Sequence, residues 1–358
     1  MDFGLSEEQE LLQQSVTRFV DDAAPLDAVR AYADGGDDTA IWQGLTELGV
    51  PALLVPESAG GIGLGMLDAV VVAEVLGSRV VPGPFLSTAI LAPLAVRHAG
   101  LDEDSECAEL LAGIASGTVR VGAALSEAVA ARRDAGVRAE GGRLTGRALM
   151  AMDAGADHWL VADTTRGLHL VAADAKGLVV TPLATVDRTR RTVELTFDAT
   201  PARALGGSEV CDRVLEAGRV ILAADTLGAA QRMLDKAVVY AGEREQFNRP
   251  IGSFQAVKHM CAEMAAEIEP CRALVWYAGH ACSEVPDEAP LVACHAKALL
   301  GDVGKFVAKT ATEVHGGMGF TDLVGLHYWF KRIGWNRQLL GAPEIVREEA
   351  ARLQGLVA

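Results

Sequence analysis

A change of residue pattern in the middle of the chain constrains the fold more than any other feature. Between Val119 and about Leu205, short runs such as VRVGAAL and LHLVAAD alternate like β-strands and are separated by Gly, Asp and Thr. Before and after this stretch, apolar residues recur at helical spacing. The pattern predicts a mainly α fold with a central β domain. We expect an N-terminal helical domain over residues 1–118, a middle β domain over 119–206 and a C-terminal helical bundle over 207–358.

The helical stretches carry their own start signals. Ser6, followed by Glu, Glu and Gln, predicts an N-terminal cap. Further short helices are expected at 38–49, 67–76, 87–98 and 106–114. Long helical patterns cover 208–242, 254–283 and 287–316, and a last one begins near Pro343. Four long helices joined by short connections indicate a four-helix bundle.

Charge and cysteine usage exclude several functional classes. A formal net charge of −16 argues against a nucleic-acid surface, which needs a dense basic field. Six Cys without any CxxC pair indicate reduced, mostly buried thiols, so no metal site is expected. The N-terminus is acidic where a signal peptide is basic, and no apolar run approaches the roughly 18 residues of a membrane span. We therefore expect a cytoplasmic protein.

Three segments, in this order along the chain, resemble signatures of the acyl-CoA dehydrogenase family. They are ELGVPALLVPESAGGIGLG at 47–65, GEREQFNRPIGSFQA at 242–256 with its R-x-x-F, and ATEVHGGMGF at 311–320 with its Gly-Gly turn. The resemblance spans essentially the whole chain and implies the same module order, with a middle β-barrel-like domain. It also implies FAD as the cofactor, α,β-dehydrogenation of an acyl-CoA thioester, and electron-transfer flavoprotein as the acceptor.

Six residues of the last two segments are the candidates for contacts with FAD. Arg244 has a planar, charged fork suited to a pyrophosphate, and glycines let backbone N–H groups approach a phosphate. Taken singly, each residue also fits an ordinary role, such as a solvent-exposed Arg or a helix C-cap. Taken together, in the same order as in the family, these residues favour binding of the ligand over the ordinary roles. The resemblance further implies that they reach the FAD of a neighbouring subunit. The candidates are Arg244, Phe247, Gln255, Glu313, Gly316 and Gly317, with Gly319 as a further turn glycine and Glu313 replacing the family's Gln.

The residues expected to perform the reaction are missing. The family's catalytic Glu near the C-terminus corresponds to Leu340, and an alternative position before Arg219 is Gly218. Neither side chain accepts a proton. The catalytic residue is thus unknown. Asp225, in an apolar run, is a candidate base if burial raises its pKa, although an Asp that hydrogen-bonds between helices is the more frequent explanation.

Other polar residues near these positions favour structural roles. Glu344 begins a helix, where an acid suits the dipole, and Glu216 faces away from the alternative base position. His315, beside the Gly pair, either contacts a phosphate or caps the preceding helix, and we favour the cap. The aromatic run His327–Phe330 is interpreted as packing.

The elements that hold a chain's own flavin ring are also degraded. The family's T-E-P-x-x-G-S-D loop is reduced to Leu125-Ser126-Glu127, and its W-I-T element corresponds to Met150-Ala151-Met152. The elements that reach a neighbour's FAD are kept. This asymmetry favours a subunit of a heteromer that completes a partner's FAD site.

Two other hypotheses remain open: a homo-oligomeric dehydrogenase with a displaced base such as Asp225, and a non-catalytic protein that binds a CoA ester or a partner protein. The heteromer hypothesis, which is the first, predicts flavin colour only when the partner is present. The homo-oligomeric dehydrogenase, the second, predicts colour in the lone chain. The non-catalytic protein, the third, predicts no colour in any combination. Heteromeric members of the family often act on bulky ring-bearing CoA esters, so the resemblance implies a large substrate.

Overall fold

The computed structural model describes residues 4–357. The first three residues of the predicted N-terminal domain and the last residue of the predicted C-terminal domain lie outside the described part. The predicted cap is confirmed: Oγ of Ser6 accepts from the backbone N–H of Gln9 at 3.2 Å, and the Gln9 side chain accepts from the N–H of Ser6 at 3.0 Å. A π-helical stretch, Phe85–Leu91, precedes α5, so the predicted 87–98 helix changes pitch near Pro93. The N-terminal helices are α1 (Glu7–Ala23), α2 (Leu26–Ala33), α3 (Thr39–Glu47), α4 (Met66–Ser78), α5 (Ala92–His98) and α6 (Ser105–Ala115).

The middle of the chain folds as an eight-stranded sheet with one short helix, α7 (Ser126–Val129). Seven strands lie in the order β6-β7-β3-β1-β4-β5-β8, and β2 pairs with β3. Among the strands of residues 4–357, only β1 and β4 are parallel neighbours. One face buries a core of its own that includes Val137, Trp159 and Phe197. The strands are β1 (Val121–Ala124), β2 (Gly136–Glu140), β3 (Arg143–Met152), β4 (His158–Ala162), β5 (Leu168–Ala172), β6 (Leu178–Leu183), β7 (Thr192–Pro201) and β8 (Arg203–Gly206).

Long helices form the C-terminal part, as predicted. The longest, α8 (Ser208–Glu243), packs against α9 (Gln255–Glu284), α10 (Ala289–His315) and α11 (Leu326–Gln338). A hairpin of β9 (Glu245–Gln246) and β10 (Arg249–Pro250) joins α8 to α9, and α12 (Pro343–Leu353) packs on α10.

Helix α11, which contains the aromatic run, was not predicted. Its buried positions include Arg332 and Asn336 beside Trp329 and Ile333. Polar residues on the buried face interrupt the apolar stripe that identifies an amphipathic helix. The sequence pattern therefore predicts packing for this run without predicting its helix.

Helices α4 and α8 approach each other unusually closely. A Cβ on Gly77 would lie 2.0 Å from the Asp225 carbonyl oxygen, and a Cβ on Gly228 would lie 1.8 Å from the Glu74 carbonyl oxygen. Each helix thus presents a glycine to the backbone of the other. Because only glycine permits this distance, the pair fixes the position of α8 against the N-terminal helices.

Residues 4–357 include no helix that is both long and apolar enough to cross a membrane. All six cysteines are free, and four of them are buried. The same described residues contain no group of three His, Cys, Asp or Glu side chains placed to hold a metal ion.

Candidate functional site

The two positions at which a catalytic carboxylate was expected lie against each other. A Cβ on Gly218, in α8, would lie 2.5 Å from Cδ1 of Leu340 and 3.2 Å from Cδ2 of Leu91. Leu340 follows α11 and is 2% exposed. Its side chain therefore fills the space beside Gly218, and neither residue offers a group that can accept a proton.

Buried cations hold the segment that carries Leu340. Nε of Arg219 donates to the Leu340 carbonyl at 3.0 Å, and its two terminal nitrogens bind the Glu349 carboxylate at 2.8 and 2.7 Å. Nζ of Lys297 donates to three backbone carbonyls at and after the end of α11, at 2.8 to 3.1 Å. Burial lowers the pKa of this amine to about 7. The segment is thus firmly anchored although it carries no base.

Asp225, the candidate base, is buried, and both of its carboxylate oxygens accept hydrogen bonds. Its Oδ2 accepts from Arg190 at 3.1 Å and from Arg332 at 3.2 Å, and its Oδ1 accepts from Nδ2 of Asn336 at 2.6 Å. Two guanidinium groups and one amide therefore occupy both carboxylate oxygens and leave little room for a substrate. These contacts favour the inter-helix role over that of a base, and a catalytic role for Asp225 stays a prediction.

Glu216 lines a cavity of about 420 Å³ between the loop before α4, α5, the first half of α8 and the end of α9. Burial raises the pKa of Glu216 to about 7, although Arg213 donates to it at 3.3 Å. His98 lines the same cavity, and burial together with the Arg213 charge lowers its pKa. The cavity therefore contains a carboxyl group whose pKa is raised to about 7, two residues before Gly218, the expected base position on α8.

Glu344 and His315 have local partners that fit the structural roles favoured for them. Glu344 is exposed in the first turn of α12, where its backbone hydrogen bond and Arg337, at 2.9 Å, lower its pKa. Nδ1 of His315 donates to the Ala311 carbonyl at 2.7 Å within α10. The His315 ring also stacks on Tyr240, with ring centroids 4.6 Å apart.

The remnants of the flavin-ring elements are packed into the chain itself. Ser126 is buried in α7, and Oε1 of Glu127 accepts from the backbone N–H of Leu149 at 3.1 Å. Val129, at the end of α7, lies 3.3 Å from where a Cβ on Gly341 would be. Met150 lies at a bulge of β3 and has a positive φ of 56°. These remnants thus make contacts within the chain, with β3 and with the segment after α11.

The candidates for contact with a neighbour's FAD are exposed, in contrast to the remnants of the flavin-ring elements. Arg244, Gly316 and Gly317 line an open depression of about 440 Å³ at the ends of α8 and α10. Arg244 forms no ion pair within residues 4–357. Tyr240, which sequence reasoning missed, lines the same depression. It lies four residues before Arg244, whose backbone N–H donates to the Tyr240 carbonyl at 2.8 Å, and this spacing would have identified it.

Phe247 is held away from the core by a strained turn. Phe247 and Asn248 join β9 to β10 with φ of 53° and 60°. Tight hairpins of this kind usually place Asn-Gly there, because a positive φ is unfavourable for a bulky side chain. Phe247 is 87% exposed. Backbone strain that exposes an aromatic ring indicates a contact surface.

The glycines of the third segment, at 311–320, divide into two kinds. Nothing lies within 4 Å of where a Cβ on Gly316 or Gly317 would be, so the backbone there can be approached from outside. A Cβ on Gly319 would lie 2.7 Å from the Thr312 carbonyl oxygen, so packing requires a glycine at this position. Glu313 and Gln255 are exposed. An open glycine turn beside an exposed Arg fits the phosphates of FAD.

Comparisons with known proteins agree with this architecture. The acyl-CoA dehydrogenase N-terminal domain model matches residues 6–118, and the C-terminal domain model matches residues 206–354. Acyl-CoA dehydrogenase IpdE2 of Mycolicibacterium smegmatis is 33% identical over 99% of this chain and 100% of its own length. IpdE2 of Mycobacterium tuberculosis is also 33% identical, over 98% of each chain.

Solved structures extend the similarity to the whole fold. A chain of the Tcur3481-Tcur3483 steroid ACAD has a TM-score of 0.89 at 33% identity, with 98% of both chains covered. A chain of the ChsE4-ChsE5 complex from Mycobacterium tuberculosis has a TM-score of 0.91 at 27% identity, with full coverage of both. The chain therefore belongs to the acyl-CoA dehydrogenase family, a family of FAD-binding oxidoreductases that act on acyl-CoA.

Proposed function

We propose that this protein is the companion subunit of a heteromeric FAD-dependent acyl-CoA dehydrogenase. The observation that carries the proposal is the contact between Gly218 and Leu340, which leaves both base positions without a proton acceptor. The depression at Arg244 and the glycine turn is open by contrast. A partner subunit would supply the catalytic carboxylate and hold the flavin ring, and this chain would complete the ADP half of the cofactor site.

Each residue of the exposed face has a defined task in this arrangement. The Arg244 guanidinium would pair with the pyrophosphate, and the backbone at Gly316 and Gly317 would approach its oxygens. The Phe247 ring would pack on the adenosine part. The bound flavin supplies hydride acceptance from the acyl chain. The contribution of this chain is binding and orientation.

A ring-bearing CoA ester is the proposed substrate class. One solved relative is a steroid ACAD, and two solved relatives carry two subunit names in their titles. Electron-transfer flavoprotein is the proposed electron acceptor, by analogy with the family. These assignments rest on similarity, since acyl specificity depends on the cavity behind the thioester.

A second candidate function is binding of a CoA ester without a redox step. The cavity that contains Glu216 and His98 favours it, because it offers about 420 Å³ beside a position that carries no base. A homo-oligomeric dehydrogenase with Asp225 as its base has less support. Both Asp225 oxygens already accept hydrogen bonds from buried partners.

Flavin absorption of the purified chain, alone and co-purified with a related dehydrogenase subunit, tests the proposal. We expect a colourless lone chain and a yellow complex. Arg244→Ala should abolish the colour of the complex and leave its assembly intact, because one charge-assisted bidentate contact is removed. Arg133→Ala, at an exposed site before β2, is the matched control and should keep the colour. A lone chain that is yellow and bleaches with an acyl-CoA would overturn the proposal.

A further inference from the structure

A small cavity of about 250 Å³ lies where the end of α1 and the start of α2 meet the middle of α8 and the start of α11. It has room for several water molecules, or for one tetrahedral oxyanion with water around it. Three cations line its wall, namely Arg79, Arg232 and Lys236, and one acid does, Asp21. This concentration of positive charge stands out in a chain of net charge −16.

Asp21 balances only one of the three cations. Its Oδ1 accepts from Nε of Arg79 at 2.6 Å and lies 2.5 Å from Nη2 of the same side chain. Neither Arg232 nor Lys236 forms an ion pair with any residue between 4 and 357. The wall of the cavity therefore carries two positive charges beyond the one that Asp21 balances.

Two of the donors in this wall lack strong acceptors. Nε of Arg232 is buried without a hydrogen-bond partner among the described groups. Lys236 lies over the Trp329 ring, with Nζ 5.1 Å from the ring centroid. An aromatic face holds an ammonium group in place without accepting all three of its N–H bonds. Because a buried donor without an acceptor is unfavourable, an acceptor bound in the cavity would stabilise this arrangement.

The local electrostatics favour an anion in this space. Burial lowers the pKa of Lys236, and the charges of neighbouring arginines lower it further. These arginines are Arg232, Arg30 and Arg79. Like charges held together in a partly dehydrated cavity repel each other, and a bound anion relieves that repulsion. The end of α1 and the start of α2 meet at this wall, so the opposite partial charges of the two helix ends largely offset each other.

The cavity adjoins a second space that could hold the rest of a larger ligand. Arg232 and Lys236 also line a depression of about 340 Å³, whose wall includes the stacked rings of Tyr240 and His315. Its acids are Asp235 and Glu243, which are both exposed. An anion bound between the two cations can therefore carry an apolar or aromatic group that lies in the depression.

We propose that Arg79, Arg232 and Lys236 bind a doubly charged oxyanion of the phosphate type, either free phosphate or the phosphate of a monoester. Two unbalanced positive charges match a dianion, whereas a monocarboxylate would leave one of them without a counter-charge. Guanidinium and ammonium groups are the side chains that bind phosphate in proteins. Lys236 lies eight residues before Arg244, about 12 Å along the helix. The site is thus separate from the proposed FAD surface and requires neither FAD nor a partner subunit.

Calorimetry of the full chain with inorganic phosphate, in a phosphate-free buffer of low salt at about pH 8, tests this proposal, since phosphate is mostly dianionic there. We expect saturable binding at least about tenfold tighter than binding of acetate. Arg232→Gln combined with Lys236→Gln should raise the Kd for phosphate at least about tenfold, because two charged donors are removed. The control pair, Arg133→Gln with Lys176→Gln, makes the same charge change at exposed positions and should shift the Kd by less than about twofold.

Arg244→Ala distinguishes this site from the proposed FAD surface and should leave the Kd for phosphate within about twofold of the wild-type value. Loss of phosphate binding in Arg244→Ala but not in the double variant would refute the proposed site, while the companion function would stand. A wild-type chain without saturable phosphate binding, or one that binds acetate as tightly as phosphate, would also refute it. Where the double variant does not fold, Lys236→Gln alone should weaken phosphate binding at least about threefold.

Phenyl phosphate distinguishes the two sources of the dianion. A Kd at least about fivefold below that of inorganic phosphate would support a monoester whose organic group lies in the depression beside Tyr240. Equal Kd values for the two probes would support free phosphate as the ligand. In both cases the double variant should lose the binding.

Discussion

Replacing Asp225 with Asn tests whether this carboxylate joins parts of the fold or acts as a base. Its oxygens accept from Arg190 and Arg332 at 3.1 and 3.2 Å and from Asn336 at 2.6 Å. Arg190 lies between β6 and β7, whereas Arg332 and Asn336 lie on α11. A single side chain of α8 therefore connects the central sheet with the last helices.

The expected loss of stability follows from burial and from the remaining partners. Asn keeps the size of Asp but removes the charge that faces two guanidinium groups. Removing one partner of a buried ion pair costs about 3–5 kcal/mol. Asp187 still lies 3.4 Å from Nε of Arg332, and the Arg190 side chain is 12% exposed. These two features moderate the loss, so we expect about 3 kcal/mol, at the lower end of that range.

Urea unfolding followed by tryptophan fluorescence measures this loss, and the first transition is compared because several modules need not unfold together. Glu348→Gln is the control: it removes an ion pair with Arg352 whose side chains are more than half exposed, which should cost less than about 1 kcal/mol. Under conditions where the variant is folded, we expect its heteromer to keep most of its dehydrogenase activity. Unchanged stability together with lost activity would refute the structural role and identify Asp225 as the base.

Two further predictions concern packing and pH. Gly228→Ala should destabilise the fold by at least about 3 kcal/mol, because the new Cβ meets the Glu74 backbone at 1.8 Å and the helices must separate. Gly334→Ala, on α11, is the control: nothing lies near the new Cβ, so it should stabilise the fold by about 0.5–1 kcal/mol. Thermal unfolding measures both variants, and equal melting temperatures would contradict the packing argument. The folded-state pKa of Glu216, about 7, exceeds its ordinary value of 4.5, so the folded state keeps a proton that the unfolded state releases. Stability should therefore fall as pH rises from about 4.5 to 7, by at most about 3 kcal/mol, and Glu216→Gln should remove this fall in urea titrations across that range.

The extents of α8, α9 and α10 could be read from the sequence to within a few residues. Their apolar periodicity and the breakers between them are local signals. Helix α11 could not be recognised in this way, because its buried face includes Arg332 and Asn336. These residues become acceptable in the core only through partners such as Asp225, which lies more than a hundred residues earlier.

The candidate site shows the same division. Motif order along the chain was enough to single out Arg244 and the glycine turn, since each motif is a short contiguous segment. The turn that exposes Phe247 and the packing role of Gly319 needed the structure. A side chain's exposure and partners depend on the elements around it, which a local pattern does not contain.

The family, the order of its helical and β segments, and the absence of a carboxylate at both expected positions follow from the amino-acid sequence alone, because each is written in residue identity and short-range spacing. The tertiary structure decided what replaces the base. Packing of α8 against the segment after α11 brings Leu340 onto Gly218, while Arg219 holds that segment through the Leu340 carbonyl. Such contacts join residues far apart in the chain, and they arise only when the helices pack in three dimensions.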